Sequence, residues 1–533
     1  MTVYEAEGGA VVVDAGLAFP RDEHLGVDLI LPDFGYLRER ADSVRAIVLT
    51  HAHEDHVGAL PYLLREVQIP EVYATRLTLG LVQSKLDEHG LLRAVELREV
   101  RPEDGPIGVG PFRLEFVRMA HSVPDNVAVV LEAAGLRVLH TSDYKLDHTP
   151  VDGLRTDVGK LAELGNRGVD LMLGDSTNAE RPGFTGSERL VGEAFRQIIP
   201  ACPGRVLIAS FASNVHRMQQ AIDVAAQVGR KVAVVGRSMR KNFNISRNLG
   251  YIQVPSDDLV IRPNDLEEYA PHEVLILCSG SQGEPLSALT RIAYHDHPAV
   301  RVERGDTVII SAKPVPGNEL RVHDTINGLA KAGAEVLHHE IAPVHVSGHA
   351  NQEEIRTVIG LVRPRAVMPV HGEFRMLSAQ ARMAADAGVP ASAIVLAENG
   401  SVVELDRRGP RIVDRVEGGV TFVDGLSVGD VSDVALRDRR RLSEDGVLII
   451  VATLTSSNGR VTTRPELIAR GFAENEPLIE EMREEAERVL NECLAEDIRE
   501  IKLLQEHLHD GVGQLVYDRV GKRPLILPVV VEV

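Results

Sequence analysis

Short apolar runs alternate with polar segments along the chain, and most of these runs end at Gly, Asp, Ser or His. The first 188 residues contain five of them: VVVDAG (11–16), RAIVLT (45–50), VAVVLE (127–132), LRVLHTSD (136–143) and VDLMLGDS (169–176). Runs this apolar predict strands that are covered on both faces. One helix is predicted between them, around residues 57–66. We therefore expect a strand-rich α/β domain at 1–188.

The pattern changes near residue 189. RVLIAS (205–210), NVHRMQQAIDVAAQVG (214–229) and KVAVVG (231–236) follow one another as strand, helix and strand. This spacing is typical of a βαβ unit in a parallel sheet. Further runs at 273–280, 306–312 and 334–340 continue it, and AVMPVHGE (366–373) returns to the first pattern. We expect an α/β module at 189–350, inserted into a first domain that resumes at 351–423.

The remaining residues predict a charged linker at 424–445 and a small α+β domain at 446–533. Two apolar runs, at 446–454 and 525–533, flank a predicted helix across 479–505. Acids and bases alternate along this helix, which indicates a solvated face.

Composition narrows the class of protein. A net charge of −20 argues against nonspecific adhesion to nucleic acid, although a local cleft could still hold phosphates. With no Trp and 4% aromatic residues, extensive base stacking is not expected. The sequence has no long apolar span and no signal-peptide pattern. Its cysteines, Cys202, Cys278 and Cys493, are far apart, which predicts core residues in a cytoplasmic protein.

The segment HAHEDH carries the strongest chemical signal. His51, His53, Asp55 and His56 follow an apolar strand directly. A solvated turn rich in His is the simpler interpretation, but this density of His and Asp at a strand end favours a metal site. His and carboxylate ligands without Cys suit zinc or manganese. The first two His share a face if the strand continues, and the last two residues point elsewhere, so one segment can serve two adjacent ions.

Three more polar residues stand at strand ends: His121, Asp143 and His371. Each alone is weak evidence, because a lone His at a strand end is more often simply hydrogen-bonded. The order HxHxDH, His, Asp, His, with VVVDAG upstream, resembles the metallo-β-lactamase fold. That resemblance implies an αββα sandwich. It also implies a first metal site of His51, His53 and His121, a second of Asp55, His56 and His371, Asp143 bridging both, and Asp14 supporting the ligands.

The inserted module resembles the β-CASP family. LGDSTN (173–178) with Asp175, HVSGHA (345–350) with His345 and His349, and PVHGE with His371 match its motifs, and a His in the third motif is the pattern of RNA-directed members. FASNVHRMQQ (211–220), CSGSQGEP (278–285) and SAKPVPGNE (311–319) resemble the bacterial ribonuclease J branch. The resemblance covers essentially the whole chain, including the C-terminal domain.

This resemblance implies a di-metal ribonuclease of RNA decay and rRNA processing. It would hydrolyse single-stranded RNA 5′-to-3′, with a preference for 5′-monophosphate ends and with endonuclease activity, using two Zn²⁺ ions or Mn²⁺. The catalytic residues would be Asp55, Asp143, Asp175 and His349, with His349 contacting the scissile phosphate. Asp175 also fits a turn cap, because DST is a good capping sequence.

Polar loops are candidates for holding the RNA 5′ end. Ordinary loop chemistry explains any one of these residues equally well: Ser210, Ser213, Asn214, His216, Arg217, His345, Ser347, Gly348 and His349. The resemblance also implies a homodimer or homotetramer formed through the C-terminal domain, and partners among RNA-decay proteins. No membrane association is expected.

Three alternatives remain open. The first is another hydrolase of this fold, such as a lactonase, thioesterase or β-lactamase, which would not need the inserted module. The second is chiefly an endonuclease, and the third a non-catalytic RNA-binding subunit, from which metal-dependent turnover would distinguish an enzyme. One departure concerns the N-terminus: relatives carry a glycine-rich strand, GGxGEIGxN, before the segment matching TVYE. If that first strand is absent from the protein, we expect the sheet to lose an edge partner near Val11–Val13.

Overall fold

Two sheets packed face to face form the first part of the chain. The computed structural model describes residues 1–21, 23–425, 427–429, 431–455, 463–472 and 475–532. One sheet has five strands, in the order Thr2–Ala6, Gly9–Val13, Val44–Val48, Glu71–Ala74, Glu96–Glu99. The other has six, in the order Val367–Val370, Leu171–Asp175, Leu136–His140, Val127–Ala133, Phe112–Arg118, Ile107–Val109.

Apolar side chains from both sheets fill the space between them. Val11 and Val48 of one sheet pack against Phe116 and Val129 of the other, and all four are buried. Helices cover the outer faces, and Leu161 and Ile359 lie in the core formed on the outer face of the six-stranded sheet. The helices of this part are Gly35–Glu39, Glu54–Val57, Leu60–Glu66, Arg76–Glu88, Val158–Arg167, Gln352–Val362 and Phe374–Asp386, and a hairpin of Ser401–Asp406 and Gly409–Arg415 follows them. The predicted αββα sandwich is confirmed.

The inserted module is a three-layer α/β structure around a parallel sheet. Its strand order is Val260–Ile261, Lys231–Val235, Val274–Cys278, Val206–Ala209, Thr307–Ile310, Glu335–His338. Separate apolar cores lie on its two faces. The helices around it are Arg189–Ile198, Val215–Val228, Arg237–Asn248, Ala288–Ala293 and Glu319–Lys331. After the module the chain returns to the sandwich, because Val367–Val370 pairs in parallel with Leu171–Asp175.

The chain divides into two compact units, Met1–Ala18 with Leu31–Thr421, and Phe19–Ile30 with Phe422–Val533. In the second unit, the strands Glu466–Arg470, Val447–Leu454 and Leu525–Glu532 form a sheet with two helices, Glu476–Ala495 and Ile501–Val520, on one face. The charged segment predicted as a linker contains the helix Asp433–Glu444. The strands Leu29–Pro32, Val420–Asp424 and Ser427–Val428 lie near the boundaries of the units in sequence. The exact domain limits remain predictions.

Several local predictions need correction. The single helix predicted at 479–505 is wrong, because the chain turns between Ala495 and Ile501 with Asp497 in the left-handed conformation, at φ +60°. The helices Arg76–Glu88 and Val158–Arg167 were not predicted. The expected loss of an edge partner near Val11–Val13 is also wrong, because Gly9–Val13 pairs with Thr2–Ala6 on one side and with Val44–Val48 on the other.

Other expectations are met. The predicted strands near residues 11, 45, 127, 136 and 169 all form. The three cysteines are free thiols buried in apolar cores. Among the described helices, none combines the length and apolar character that crossing a bilayer requires.

The core between the sandwich and the inserted module generates a stability prediction. Leu77 on the sandwich helix Arg76–Glu88 is fully buried and shares one core with Met239 and Phe243 of the module. We expect Leu77→Ala to cost about 2–5 kcal/mol through lost burial and a residual cavity, and to lower the thermal unfolding midpoint by several degrees. The matched control is Leu286→Ala, because Leu286 is 90% exposed. Equal midpoints for the two variants would contradict a shared core.

Candidate metal centre

Adjacent strands bring polar residues to one edge of the sandwich. Leu136–His140, Leu171–Asp175 and Val367–Val370 are neighbouring parallel strands. Because the carboxyl ends of parallel strands meet at the same edge, Asp143 and His371 lie close to Asp175. The Nδ1 of His371 lies 3.4 Å from Asp143 Oδ1 and 3.4 Å from Asp175 Oδ1.

The HAHEDH segment reaches this edge as a strand end that turns into a short helix. His53 is the N-cap of helix Glu54–Val57, with extended backbone angles. His51 and His53 therefore come from the chain before the helix, and Asp55 and His56 come from its first turn. Gly16 packs against this turn so closely that a Cβ there would lie 1.5 Å from the carbonyl oxygen of Asp55.

The first predicted ligand set is brought together. His51, His53, His121 and Asp143 offer ligand atoms that all lie within 4.8 Å of one another. His53 Nδ1 is 3.1 Å from the Nε2 atoms of both His51 and His121. Asp143 Oδ2 is 3.7 Å from His51 Nε2 and 3.8 Å from His121 Nε2.

The second predicted set forms beside the first and shares Asp143 with it. Asp55, His56, Asp143 and His371 also offer ligand atoms within 4.8 Å. His56 Nε2 is 3.2 Å from Asp143 Oδ2, and His371 Nε2 is 3.5 Å from Asp55 Oδ2. A carboxylate common to both sets is the arrangement that the predicted bridging role of Asp143 requires.

Unpartnered polar atoms indicate that these residues fit divalent cations. His56 Nε2 and both carboxylate oxygens of Asp143 are buried, and none of them makes a hydrogen bond of good geometry among the described residues, although His56 Nε2 lies 3.2 Å from Asp143 Oδ2. Burying such atoms without a partner costs free energy, so native proteins rarely leave them unsatisfied. Imidazole and carboxylate donors with no thiolate suit zinc or manganese. These orphaned atoms belong to ligands that the sequence predicts.

Residues behind the ligands fix their orientation, as metal sites commonly require. The carboxylate of Asp14 accepts hydrogen bonds from Thr50 N (2.8 Å), Thr50 Oγ1 (2.9 Å) and His56 Nδ1 (2.7 Å). His121 Nδ1 donates to the carbonyl oxygen of Gly348 at 2.8 Å. In both histidines Nδ1 is engaged, so Nε2 is presented to the centre.

Three residues of the centre have a strained backbone. Asp14, Ser142 and His371 have φ values of +61°, +58° and +55°, a region that non-glycine residues seldom adopt. Such strain persists only where surrounding contacts hold the backbone, and it is typical of functional sites. For Ser142 the hydroxyl donates to Asn126 Oδ1 at 2.8 Å, and Asn126 Nδ2 donates to the carbonyl oxygen of Asp143.

Burial and local charge set the ionisation of the ligands. Burial lowers the pKa of His51 and His121 well below the usual range and that of His53 to about 4, so these rings are neutral, as metal ligands must be. Burial raises the pKa of Asp143, but the charges of His371 and His56 outweigh it and hold that pKa well below its ordinary value.

His56 differs from these ligands. Burial lowers its pKa, yet the negative charges of Asp143, Asp14 and Asp55 outweigh burial and raise it to about 10. Protons therefore compete with cations for His56 Nε2.

The predicted catalytic pair lies against the predicted metal ligands. His349 Nδ1 donates to Asp175 Oδ2 at 2.9 Å and lies 3.9 Å from Asp143 Oδ2. Its ring centroid is 5.1 Å from that of His121 and 5.6 Å from that of His371. Asp175 also accepts from the backbone N–H of Thr177 at 3.0 Å, so it forms the turn contact considered as the alternative as well.

The residues predicted to hold the RNA 5′ end have different surroundings, and several of them are already engaged in contacts within the protein. Asn214 caps the helix Val215–Val228 by accepting from Arg217 N. His216 Nε2 lies 3.1 Å from a carboxylate oxygen of Asp152. Ser210 is buried, and its hydroxyl donates to Phe211 O. Ser213 lies at the start of the same helix, next to its N-cap.

Arg217 is almost completely buried, with Nε and Nη2 2.9 Å and 3.0 Å from the carboxylate of Glu188. Its Nη1 lies 3.2 Å from His345 Nδ1. The hydrogen bonds of the guanidinium are thus made to groups inside the protein, and this favours a structural role for Arg217 over phosphate binding. Ser347 Oγ accepts from Asn178 Nδ2 at 2.9 Å.

Sequence reasoning missed residues that support the site. The Thr177 hydroxyl lies 2.8 Å from Asp175 Oδ1 and 2.9 Å from His371 Nδ1, and so links the two. Its position two residues after Asp175 in DSTN was the available signal. No comparable signal identified Asn126, or the carbonyl of Gly348 as an acceptor for His121.

Family comparisons agree with this geometry. Residues 1–210 match the metallo-β-lactamase superfamily, 203–329 the ribonuclease J β-CASP domain, 334–394 the RNA specificity domain of Zn-dependent metallo-hydrolases, and 434–533 the ribonuclease J C-terminal domain. The fold and site thus define a metallo-β-lactamase-type metallohydrolase with a β-CASP insertion.

Full-length relatives show to which branch of this superfamily the chain belongs. Ribonuclease J2 of Bacillus subtilis is 42% identical over all of this chain and 96% of that protein. Ribonuclease J of Thermus thermophilus is 41% identical over all of this chain and 92% of that protein, and ribonuclease J of Helicobacter pylori is 38% identical over 99% and 77%. The chain belongs to the ribonuclease J family. A crystal structure of a protein of unknown function from Enterococcus faecalis V583 shares the fold at 15% identity, with a TM-score of 0.50 over 74% of this chain and 94% of that one.

Removing the shared carboxylate tests the centre directly. We expect Asp143→Ala to bind at least one divalent ion fewer per chain than the wild type, because both ligand sets use this residue. Bound metal is measured by mass spectrometry after dialysis against zinc, with the exposed Asp87→Ala as control. Unchanged stoichiometry, or intact turnover in metal-replete Asp143→Ala, would refute the bridging role.

A glycine supplies a second test. A Cβ at Gly348 would lie 2.6 Å from His121 Cε1, so Gly348→Ala must displace the His121 ring or the loop that orients it. We expect zinc affinity to fall about 10–100-fold, as when a residue that orients a ligand is lost. Gly360→Ala is the control, because a Cβ there meets nothing within 4 Å. The affinities come from competition with a chromogenic chelator, and equal values for both variants would contradict the packing argument.

Proposed function

We propose that this protein is a metal-dependent ribonuclease that degrades single-stranded RNA from the 5′ end and prefers 5′-monophosphate ends, with endonucleolytic cleavage as a second activity. The observation that carries the proposal is the position of His349. This residue of the β-CASP motifs lies against the predicted metal ligands and is hydrogen-bonded to Asp175. The relatives are named ribonuclease J, and one matching family model describes an RNA specificity domain.

The residues of the proposed site have two roles, metal coordination and contact with the phosphate. His51, His53 and His121 would hold one ion, Asp55, His56 and His371 the other, and Asp143 both. Two divalent ions in such a site supply Lewis-acid stabilisation of a phosphodiester and activate water near neutral pH. The donor atoms fit Zn²⁺, and Mn²⁺ is the proposed activator.

His349 is suited to contact the scissile phosphate. Its Nδ1 is held by Asp175, which leaves Nε2 as the second ring nitrogen for the substrate. Burial lowers the pKa of His349, but the negative charge of Asp175 outweighs it and raises that pKa above that of a free imidazole, which strengthens the ring's hold on its proton. A positioned imidazolium can stabilise phosphate charge or protonate a leaving oxygen.

The 5′-end preference rests on the inserted module. The parallel strands Val206–Ala209 and Val274–Cys278 end at the same edge of its sheet, and helix Val215–Val228 begins just beyond the first of them. Crevices outside the carboxyl ends of parallel strands, next to helix N-termini, are common sites for phosphates. Once His349 is assigned to the scissile phosphate and the others to contacts inside the protein, the candidates left for this pocket are Ser213, Ser347 and Gly348; the residues so assigned are Ser210, Asn214, His216, Arg217 and His345.

Assembly and compartment are part of the proposal. Ile468, Leu527, Val529 and Val531 are each more than 40% exposed on the sheet of the C-terminal unit, which supports a homodimer or homotetramer through this face. The three buried thiols suit a reducing cytoplasm. Roles in mRNA decay and rRNA processing, with RNA-decay proteins as partners, complete the proposal.

The test is digestion of one 3′-labelled single-stranded RNA with Zn²⁺, Mn²⁺ or EDTA. Its 5′ end is a monophosphate or a triphosphate, and a DNA of the same sequence is run alongside. We expect metal-dependent release of mononucleotides from the monophosphate RNA, slower attack on the triphosphate RNA, and no cleavage of DNA. Internal cuts indifferent to the 5′ end would make the enzyme chiefly an endonuclease. No cleavage with either metal would contradict the proposed activity.

A further inference from the structure

Glu354 is a buried carboxylate that contacts three separate segments of the chain. It lies in the first turn of helix Gln352–Val362 and has no exposed surface. Its Oε1 accepts from Leu146 N at 2.8 Å, and its Oε2 accepts from Thr185 N at 2.7 Å and from Asn351 N at 2.8 Å. Two of these donors are 208 and 169 residues away in sequence.

Each of the three segments carries or supports part of the centre. Leu146 is three residues after Asp143, and Asn351 is two residues after His349. The Thr185 hydroxyl donates to the carbonyl oxygen of His349 at 2.7 Å. One carboxylate thus connects the strand end that bears the shared metal ligand with the loop that bears the candidate phosphate contact.

The connection also reaches His121. Lys145, next to Leu146, donates its backbone N–H to Ala120 O at 2.9 Å, and Ala120 directly precedes His121. From the other side, Gly348 O accepts from His121 Nδ1. A shift of Glu354 would therefore change the distance between the metal ligands and His349 while leaving the ligand side chains themselves intact.

A helix cap alone does not require this arrangement. The bond to Asn351 N completes a capping box, which is local and found on many helices. The bonds to Leu146 and Thr185 add nothing to the helix. Burying a carboxylate is costly unless it is hydrogen-bonded, and here main-chain N–H groups from three segments supply the bonds. A Gln side chain of the same size has one accepting oxygen and one donating NH₂ group, whereas the ionised carboxylate of Glu accepts on both oxygens.

We infer that Glu354 is a positioning residue that sets His349 relative to Asp143 and the metal pair. This inference rests on the proposed function only for its effect on turnover, because the three-segment contact is a property of the fold. A misplacement of about 1 Å at a reacting group can lower a rate about 100-fold.

The first experiment is independent of activity. Hydrogen–deuterium exchange is compared for the wild type, Glu354→Gln and the matched neighbour Glu353→Gln, whose side chain is half-exposed and paired with Arg356. In Glu354→Gln the side-chain NH₂ group replaces one carboxylate oxygen. It would face a main-chain N–H that donates to that oxygen in the wild type, so two donors would oppose each other. We expect faster exchange in all three peptides that contain Leu146, Thr185 and Asn351, and no change in Glu353→Gln. Faster exchange around Asn351 alone would mean that Glu354 acts only as a helix cap, and this result would overturn the inference.

The second experiment separates positioning from general stability. On the RNA that the wild type cleaves, we expect Glu354→Gln to lower kcat at least about tenfold with KM and zinc content changed less than about twofold. A loss of zinc, or an increase in KM with unchanged kcat, would overturn the positioning role. If the wild type cleaves no RNA, the proposed function fails while the exchange result still decides the contact.

A milder pair of variants covers the case in which Glu354→Gln does not fold. Thr185 is half-buried, and its hydroxyl is the link from this contact to His349. Thr185→Val removes the hydroxyl and Thr185→Ser retains it. We expect Thr185→Val to lower kcat severalfold and Thr185→Ser to restore at least half of the wild-type value. Equal kcat values for the two would contradict the path to His349.

Discussion

The carboxylate of Asp143 is the constraint on which the rest of the site depends. It is 1% exposed, belongs to both predicted ligand sets, and has no hydrogen-bond partner on either oxygen among the described residues. A buried negative charge is among the most costly features a fold can contain unless nearby positive charge balances it, and His56 Nε2 and His371 Nδ1 lie 3.2 Å and 3.4 Å from its oxygens. The histidines, the left-handed turn at Ser142 and the support from Asn126 are all arranged around that requirement.

The inserted module completes the centre from the other side. The sandwich alone supplies the predicted metal ligands, but His349 comes from the segment that leads out of the module. Its contacts with Asp175 and with Thr185 hold it within 3.9 Å of Asp143. A hydrolase acting on a small ester would not need this segment, so the presence of the module favours a larger substrate such as RNA.

Sequence reasoning reached the strands, and predicted the side chains that the structure brings together at the centre, because their signal is local: an apolar run marks the strand, and a polar residue such as Asp143 follows it. Glu354 was missed because it acts across 208 residues, and its neighbourhood resembles an ordinary cap. Arg217 follows a strand at a helix start, the expected position for an anion contact, but Glu188 pairs with it inside the core. The apolar spacing at 479–505 continued across a turn between two helices. In each of these cases tertiary packing determines the structure, and contacts between residues distant in the chain cannot be read from a single sequence.

The overall charge and the centre together restrict how RNA can be held. At a net charge of −20, the long-range field of the chain repels a polyanion, so affinity has to arise locally. Near the centre the side chains of Asp14, Asp55, Asp143 and Asp175 add further negative charge. Divalent ions bound there would reverse the sign of that local field. In the proposed site, bound divalent ions would therefore serve two purposes, because the charge that activates the chemistry would also allow a phosphate to approach.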